Sequence, residues 1–284
     1  EYIFSGSKNY ASIGKIRLSK DSLATDLTKD LRSAKRSLVS LDKLMEFPLL
    51  NAHKTLYECP KDGIICVDCK KDLVLRKKLK IFPSVTRVLN ATMSNSSRIA
   101  LAKWRSKMIA DLGEAGFQEF YKGQIESGAD FHEKVQRHFS GHVQDLVNSP
   151  NPTLRSISNI SKHISDVSVV ESHVVHNQLA YRGIIDCVAK YNNKPVLIEW
   201  KRSDKKKKLI QNTFDAPLQL CAYIGALNFD TNYNLQVQGG IVVVAYSDGT
   251  PADVFTISLD ECQKYWKQWL GRLRQYMLDE YGKS

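Results

Sequence analysis

Beyond residue 80, apolar residues recur first at helical spacing and then at strand spacing. In SRIALAKWRSKMIADLGEAGFQEF (97–120), Leu101, Trp104, Met108 and Leu112 form one stripe, as in an amphipathic helix, and Gly113 and Gly116 punctuate it. A second helix is predicted over ADFHEKVQRHFSGHVQDLV (129–147), where Phe131, Val135, Phe139, Val143 and Leu146 recur every three or four positions. The rhythm then shortens. DVSVVESHVV (166–175), YRGIIDCVAKY (181–191) and PVLIEWK (195–201) read as strands, DAPLQLCAYIGALN (215–228) as a helix, and LQVQGGIVVVAY (235–246) and ADVFTI (252–257) as strands. A last helix begins at the capping box formed by Ser258 and Glu261 and is expected to bury Cys262, Tyr265, Trp266, Trp269, Leu273 and Tyr276.

Helices followed by a mixed sheet with helices interleaved make this an α/β or α+β chain. Residues 1–80 lack a comparable pattern: helical-looking around SKDSLATDLTKDLRSAKRSLVSLDKLMEF, then cysteine-containing, they read as a partly helical N-terminal accessory segment ahead of a main domain over 81–284. There is no internal repeat, and no GxxxxGK[ST] or GxGxxG loop to argue for a nucleotide-driven motor.

Charge narrows the partner. Lysine and arginine exceed aspartate and glutamate to give a net +11, concentrated in LRKKLK (75–80) and KRSDKKKKL (201–209), which favours a polyanion over a neutral small molecule. No window approaches 18 consecutive apolar residues, so no membrane span is expected. The six cysteines show no dense disulfide framework and fit a reducing compartment. Cys59, Cys66 and Cys69 supply three sulfurs of a zinc-site pattern, but no second CxxC or HxxxH follows.

The chemistry lies in YRGIIDCVAKYNNKPVLIEWK (181–201), where Asp186, Glu199 and Lys201 interrupt two apolar strands. A charge on a buried strand face is costly unless paired or metal-bound. Asn192 and Asn193 tolerate left-handed backbone, so the strands are expected to form an antiparallel hairpin. That register sets Asp186 directly opposite Glu199, with Cβ atoms about 4.5–5.5 Å apart and like charges repelling. Either a shared proton or a hard divalent cation such as Mg²⁺ or Mn²⁺ can compensate. Lys201 falls on the same face as Glu199, one strand repeat along, and can offset charge developing on a phosphoryl oxygen. A plain Glu–Lys pair at the end of an exposed strand is the alternative. Gln219 and Tyr223, spaced i, i+4, share a helix face that can point to the same cleft. His132 reads either as a satisfied core histidine or as an imidazole ligand. Glu171 is a further carboxylate in an apolar strand, readable as a support to the site, a further ligand or an edge residue.

Taken in order, His132, Glu171, GIIDC, IEWK and QLCAY resemble the RecB-like branch of the PD-(D/E)xK nucleases over roughly residues 81–280. FPSVTRVL, LGEAGFQEF and FDAPLQLCAYIGALNFDTNYNLQVQ resemble the mitochondrial genome maintenance exonucleases within that branch. The resemblance implies a restriction-endonuclease-like core, a central mixed β-sheet flanked by helices, with Asp186, Glu199 and His132 as metal ligands and Lys201 as the catalytic lysine. It implies that Gln219 and Tyr223 organise the site and the substrate backbone. It further implies Mg²⁺- or Mn²⁺-dependent degradation of single-stranded DNA at flap and displaced-strand ends, and a place beside the mitochondrial DNA replication machinery. A matrix location follows, with the transit peptide absent from this chain. Ser203 and Lys205, in the run that leaves the catalytic strand, are expected to track the DNA backbone together with the neighbouring lysines.

The chain departs from the family's literal motif where Ile185 precedes Asp186 in place of proline. Some RecB-like relatives hold an iron–sulfur cluster through cysteines downstream of the QxxxY motif; only Cys262 lies there, so no cluster is expected. A monomer is expected. Two rival readings are a catalytically inactive single-stranded nucleic-acid-binding module and a structure-specific endonuclease of the same superfamily.

Overall fold

The computed structural model describes residues 40–56, 63–67, 73–142 and 145–281. Most of the predicted N-terminal helix, together with Cys59, Cys69 and Val143, lies outside them. The described elements run α1 (Leu41–Leu44), α2 (Leu73–Ile81), α3 (Val85–Ala91), α4 (Asn95–Phe139), α5 (Pro152–Ser156), α6 (Ser158–Ser161), β1 (Ile164–His176), β2 (Tyr181–Tyr191) and β3 (Lys194–Ser203). After a 3-10 turn (Ile210–Thr213) come α7 (Ala216–Phe229), β4 (Gly240–Tyr246), β5 (Asp253–Ile257) and α8 (Leu259–Tyr281).

The five strands form one open sheet in the order β1-β2-β3-β4-β5. All neighbours are antiparallel except β3 and β4. A parallel pair needs a crossover, and α7 supplies it. Every residue of α7 from Ala216 to Asn228 is buried, so this helix is apolar nearly all round, as expected of one enclosed on all sides. The β2–β3 hairpin turns on Asn192 and Asn193 at φ 48° and 62°, the paired left-handed residues of a type I′ turn.

Two cores sandwich the sheet. On one face α3, α7 and α8 pack Val88, Leu220, Ile224, Trp266, Trp269 and Leu273 against Val188, Leu197 and Val242. On the other, α4 and α5 pack Phe131, Val135, Phe139 and Leu154 against Cys187, Ile198, Trp200 and Val243. Phe139 and Trp200 stack there, with ring centroids 5.5 Å apart. Of the described residues before 80, Leu44 and Leu49 are buried in the first core, where Trp266 Nε1 donates to the Phe47 carbonyl at 2.7 Å, and Leu75 joins Phe82 and Val175 in a separate cluster.

Helix boundaries move where glycine permits. Gly113, at φ 72° and ψ 166°, breaks α4 into two helical halves. The halves fold back on one another: Trp104 meets Phe117 edge to face at 5.9 Å, and Arg105 lies 3.8 Å from Glu114. The stripe of Leu101, Trp104 and Met108 is therefore only half-buried, and Leu112 is exposed, because this half packs on its own hairpin partner rather than on the sheet. The second half stops at Phe139, ahead of Gly141 at φ +87°, so Leu146 reaches the core from a loop and not from a continued helix. The capping box of α8 is present, with Ser258 N donating to Glu261 Oε2 at 2.9 Å.

Candidate active site

Three carboxylates lie on the adjacent strands β1, β2 and β3. The β2–β3 ladder ends at the Cys187–Ile198 pair, and Asp186 and Glu199 are the next residues on the two strands. The β1–β2 ladder pairs Val170 with Cys187 and Ser172 with Ile185, which brings Glu171 opposite Asp186 on its other side. Both strands are irregular at this point. Glu171 takes φ +41°, a left-handed backbone uncommon for glutamate in a strand. Cys187 and Ala189 face one core while Ile185 faces the other, although strict alternation would align all three.

The break opens the ladder at Asp186. Its Oδ2 accepts the Trp200 backbone N–H at 2.8 Å, so the side chain replaces a strand-to-strand bond and is fixed in place. Its Oδ1 lies 3.3 Å from His132 Nδ1, which also lies 3.5 Å from Glu171 Oε1. His132 is brought in by the second half of α4, one position past the buried Phe131 that seats this helix on the sheet.

Beside this trio, Lys201 Nζ donates to Glu199 Oε1 at 2.6 Å and to Gln219 Oε1 at 2.9 Å. Gln219 Nε2 in turn donates to the Tyr223 hydroxyl at 2.9 Å, closing a chain from β3 into α7. Glu199 and Lys201 are only 2% and 3% exposed. The second Glu199 oxygen, Oε2, is buried with no hydrogen-bond partner. Gly183 lets the Tyr223 ring lie flat on β2, since a Cβ there would overlap the ring.

The electrostatics follow from this packing. Burial raises the Glu199 carboxyl to about 7, reinforced by Asp186 and opposed by Lys201. Burial also pushes Asp186 upward, but the charge and hydrogen bond of His132, helped by Lys201 and the Trp200 N–H, hold it below the usual carboxylate value. Burial alone would depress His132; the Asp186 and Glu171 carboxylates overcome it and raise the imidazole to about 10. The two carboxylates thus favour a cation beside His132, and a divalent ion bound there would take the place of the imidazole proton, since a ligating nitrogen is neutral.

His132, Glu171 and Asp186 each offer one ligand atom, all within 4.8 Å of one another. Imidazole plus carboxylate oxygens suits a hard divalent ion, and the unpartnered Glu199 oxygen fits the same need. Of the residues singled out in sequence, His132, Glu171 and Asp186 are joined in one set of contacts and Glu199, Lys201, Gln219 and Tyr223 in a second. Ser203 and Lys205 are tied to each other instead: Ser203 Oγ donates to the Lys205 carbonyl at 2.7 Å, forming the turn that leaves β3. Two contributions had no sequence signal, namely the Trp200 backbone N–H and Gln124, whose Oε1 accepts from Arg202 Nη1 at 3.0 Å and ties α4 to the end of β3.

An open mixed sheet flanked by helices, with two acids and a lysine on adjacent central strands, is the architecture of a PD-(D/E)xK-like core. No family model matches the chain. Curated relatives do: the human protein named mitochondrial genome maintenance exonuclease 1 is 39% identical over 81% of this chain and 66% of its own length. Its namesakes in Mus musculus and Xenopus tropicalis are 42% and 41% identical, each over 68% of this chain and 58% and 57% of their own lengths. The chain belongs to the mitochondrial genome maintenance exonuclease family, and it spans just under two thirds of the human relative.

Proposed function

We propose that this chain is an exonuclease of the RecB-like type that hydrolyses phosphodiester bonds of single-stranded DNA, using Mg²⁺ or Mn²⁺, in mitochondrial DNA maintenance. The observation that carries the reading is two neighbouring contact sets that interact electrostatically, His132 with Asp186 and Glu171, and Lys201 with Glu199 and Gln219. Four ionisable groups are buried together at the edge of an otherwise apolar hairpin, an arrangement that costs stability and has no purely structural need. The activity named for the relatives is in keeping with it.

His132, Glu171 and Asp186 would hold a divalent ion, with Glu199 Oε2 available to it. Such an ion activates water and offsets charge on the phosphoryl oxygens. The residues of the chain prepare the rest. Trp200 N–H and His132 orient Asp186, so its carboxylate does not reorganise during the reaction. Lys201, steadied by Glu199 and Gln219, holds a positive charge beside the carboxylates, where it orients the attacking water and stabilises the developing negative charge. Tyr223 fixes Gln219 and thereby the lysine. The net +11 draws a polyanionic strand to the chain at a salt-dependent rate. A mitochondrial matrix location and work on displaced or flap strands fit the same reading.

The test is digestion of end-labelled linear, circular and duplex DNA by the wild type and by Lys201→Ala, with Mg²⁺, Mn²⁺ or EDTA. Metal-dependent loss of linear single strands by wild type alone, with circles spared, is the expected result. Cleavage of circles would make the enzyme an endonuclease, and binding without cleavage by both proteins would leave a binding module.

A further inference from the structure

The segment joining β3 to α7 carries a phenylalanine in a backbone conformation that phenylalanine avoids. Phe214 sits at φ +56° and ψ −125°, between the 3-10 turn and the first residues of α7, and is 45% exposed. Glycine would occupy this conformation without steric cost, whereas an aromatic L-residue there is strained. A bulky ring held at such a place, facing water, answers to something other than the folding of the loop.

The surroundings of the ring are built. Lys207 N–H donates to the Tyr246 hydroxyl at 2.9 Å, anchoring the segment to β4, and its ammonium lies 5.4 Å from the Phe214 ring centroid in a cation–π contact. Asn212 Oδ1 accepts the Leu209 N–H at 3.1 Å, and Thr213 Oγ1 donates to the Ile210 carbonyl at 2.6 Å, so the turn that presents the ring is internally bonded. Lys205, Lys206 and Lys208 are exposed along the same segment. The Asp215 carbonyl accepts the Gln219 N–H at 2.8 Å, which starts α7 one residue after Phe214. Phe214 lies two residues ahead of α7, the helix that carries Gln219, the residue that holds Lys201.

We propose that Phe214 is a stacking platform for one unpaired base of the nucleic-acid strand, positioned next to the hydrolytic site, while the adjacent lysines engage that strand's phosphates. The inference rests on the nuclease reading above. Base–aromatic stacking tolerates any base, because every base offers a π-face, so the platform would hold a single strand in register without selecting sequence. A duplex keeps its bases stacked on one another and offers the ring no partner except at a frayed or displaced end. Phe214 therefore favours an unpaired terminus over paired DNA.

The experiment measures equilibrium binding of a fluorescein-labelled short oligothymidylate in EDTA to the wild type, Phe214→Ala, Phe214→Trp and Phe214→Gly, with thermal unfolding of each. Oligonucleotides carrying one abasic position at successive sites complete the set. Phe214→Ala is expected to weaken binding about tenfold and Phe214→Trp to restore it. One abasic position should weaken the wild type by a similar factor and Phe214→Ala no further. Phe214→Gly should lose affinity while its unfolding midpoint rises, since glycine relaxes the backbone; a purely structural phenylalanine would lower that midpoint. Unchanged affinity in Phe214→Ala, or equal losses for it and the wild type at every abasic position, overturns the stacking role. If the wild type still digests linear single strands with Mg²⁺, only this inference fails; if it neither binds nor digests them, the nuclease reading fails with it.

Discussion

The Lys201 ammonium lies 2.6 Å from Glu199 Oε1, and both side chains are almost wholly withdrawn from solvent. Neighbours two apart on one strand face are seldom paired so closely in a core, because desolvating both charges offsets most of their attraction. Here the pair leaves one Glu199 oxygen without a partner and ties the lysine to α7 through Gln219.

Removing the ammonium should therefore affect chemistry more than fold. Lys201→Ala is expected to lower the single-turnover rate about 100-fold or more, the scale for a lost charge-stabilising donor. The Glu199 carboxyl, already near 7, takes up a proton once its partner is gone, which limits the loss of stability. Rate and unfolding midpoint, measured together, check both halves.

A cation-binding role for His132, Glu171 and Asp186 predicts that Mn²⁺ stabilises the wild type. At about 100 times its dissociation constant the ion should add about 2.7 kcal/mol. Asp186→Ala and His132→Ala should lose most of that increment, whereas Lys201→Ala should keep it. Thermal melts with and without Mn²⁺ decide the matter.

Gln219 should act as a positioning residue. Gln219→Ala takes from Lys201 its contact to α7 and from Tyr223 its contact to Gln219, so kcat is expected to fall with little change in KM. Steady-state kinetics on linear single strands would show a KM effect instead if Gln219 mainly contacted substrate.

Away from the site, His176 should set the acid limit of stability. Its ring stacks on Phe229 at 5.0 Å and its Nδ1 accepts the Leu179 N–H at 3.2 Å, while burial depresses the imidazole to about 3. The unfolded chain takes up this proton near pH 6.5 and the folded chain only near 3. Stability is thus present above 6.5 and lost as pH falls through that window, by about 2 kcal/mol at pH 5. Because Glu199, raised to about 7, titrates with the opposite sign in this window, the check is the difference between urea melts of the wild type and of His176→Phe at pH 7 and pH 5: the wild type should lose about 2 kcal/mol more than the variant.

Much of this molecule follows from local pattern. The two asparagines fix a type I′ turn, and the turn fixes the hairpin register as far as the Cys187–Ile198 pair, next to Asp186 and Glu199, because each step depends only on neighbouring residues. The amphipathic spacing of Phe131, Val135 and Phe139 likewise specifies which face of α4 meets the sheet, and Ser258 with Glu261 specifies where α8 starts.

Contacts between distant segments, together with backbone departures from regular geometry, required the folded chain. The left-handed backbone at Glu171 and the broken alternation at Ile185 run against strand period, so no periodic reading places Glu171 beside His132. Whether Leu101, Trp104 and Met108 form a core or a hairpin depends on the fold-back at Gly113, since the same stripe serves either packing. Asp186 is held by a backbone amide that any residue at position 200 except proline would supply, and Lys201 by a glutamine from a helix that must first cross over the sheet. The sequence by itself determined which groups carry the candidate chemistry and the strands that hold them; the tertiary structure decided their distances, their burial and the raised basicity of His132, because those depend on packing and charge from elements far apart in the chain.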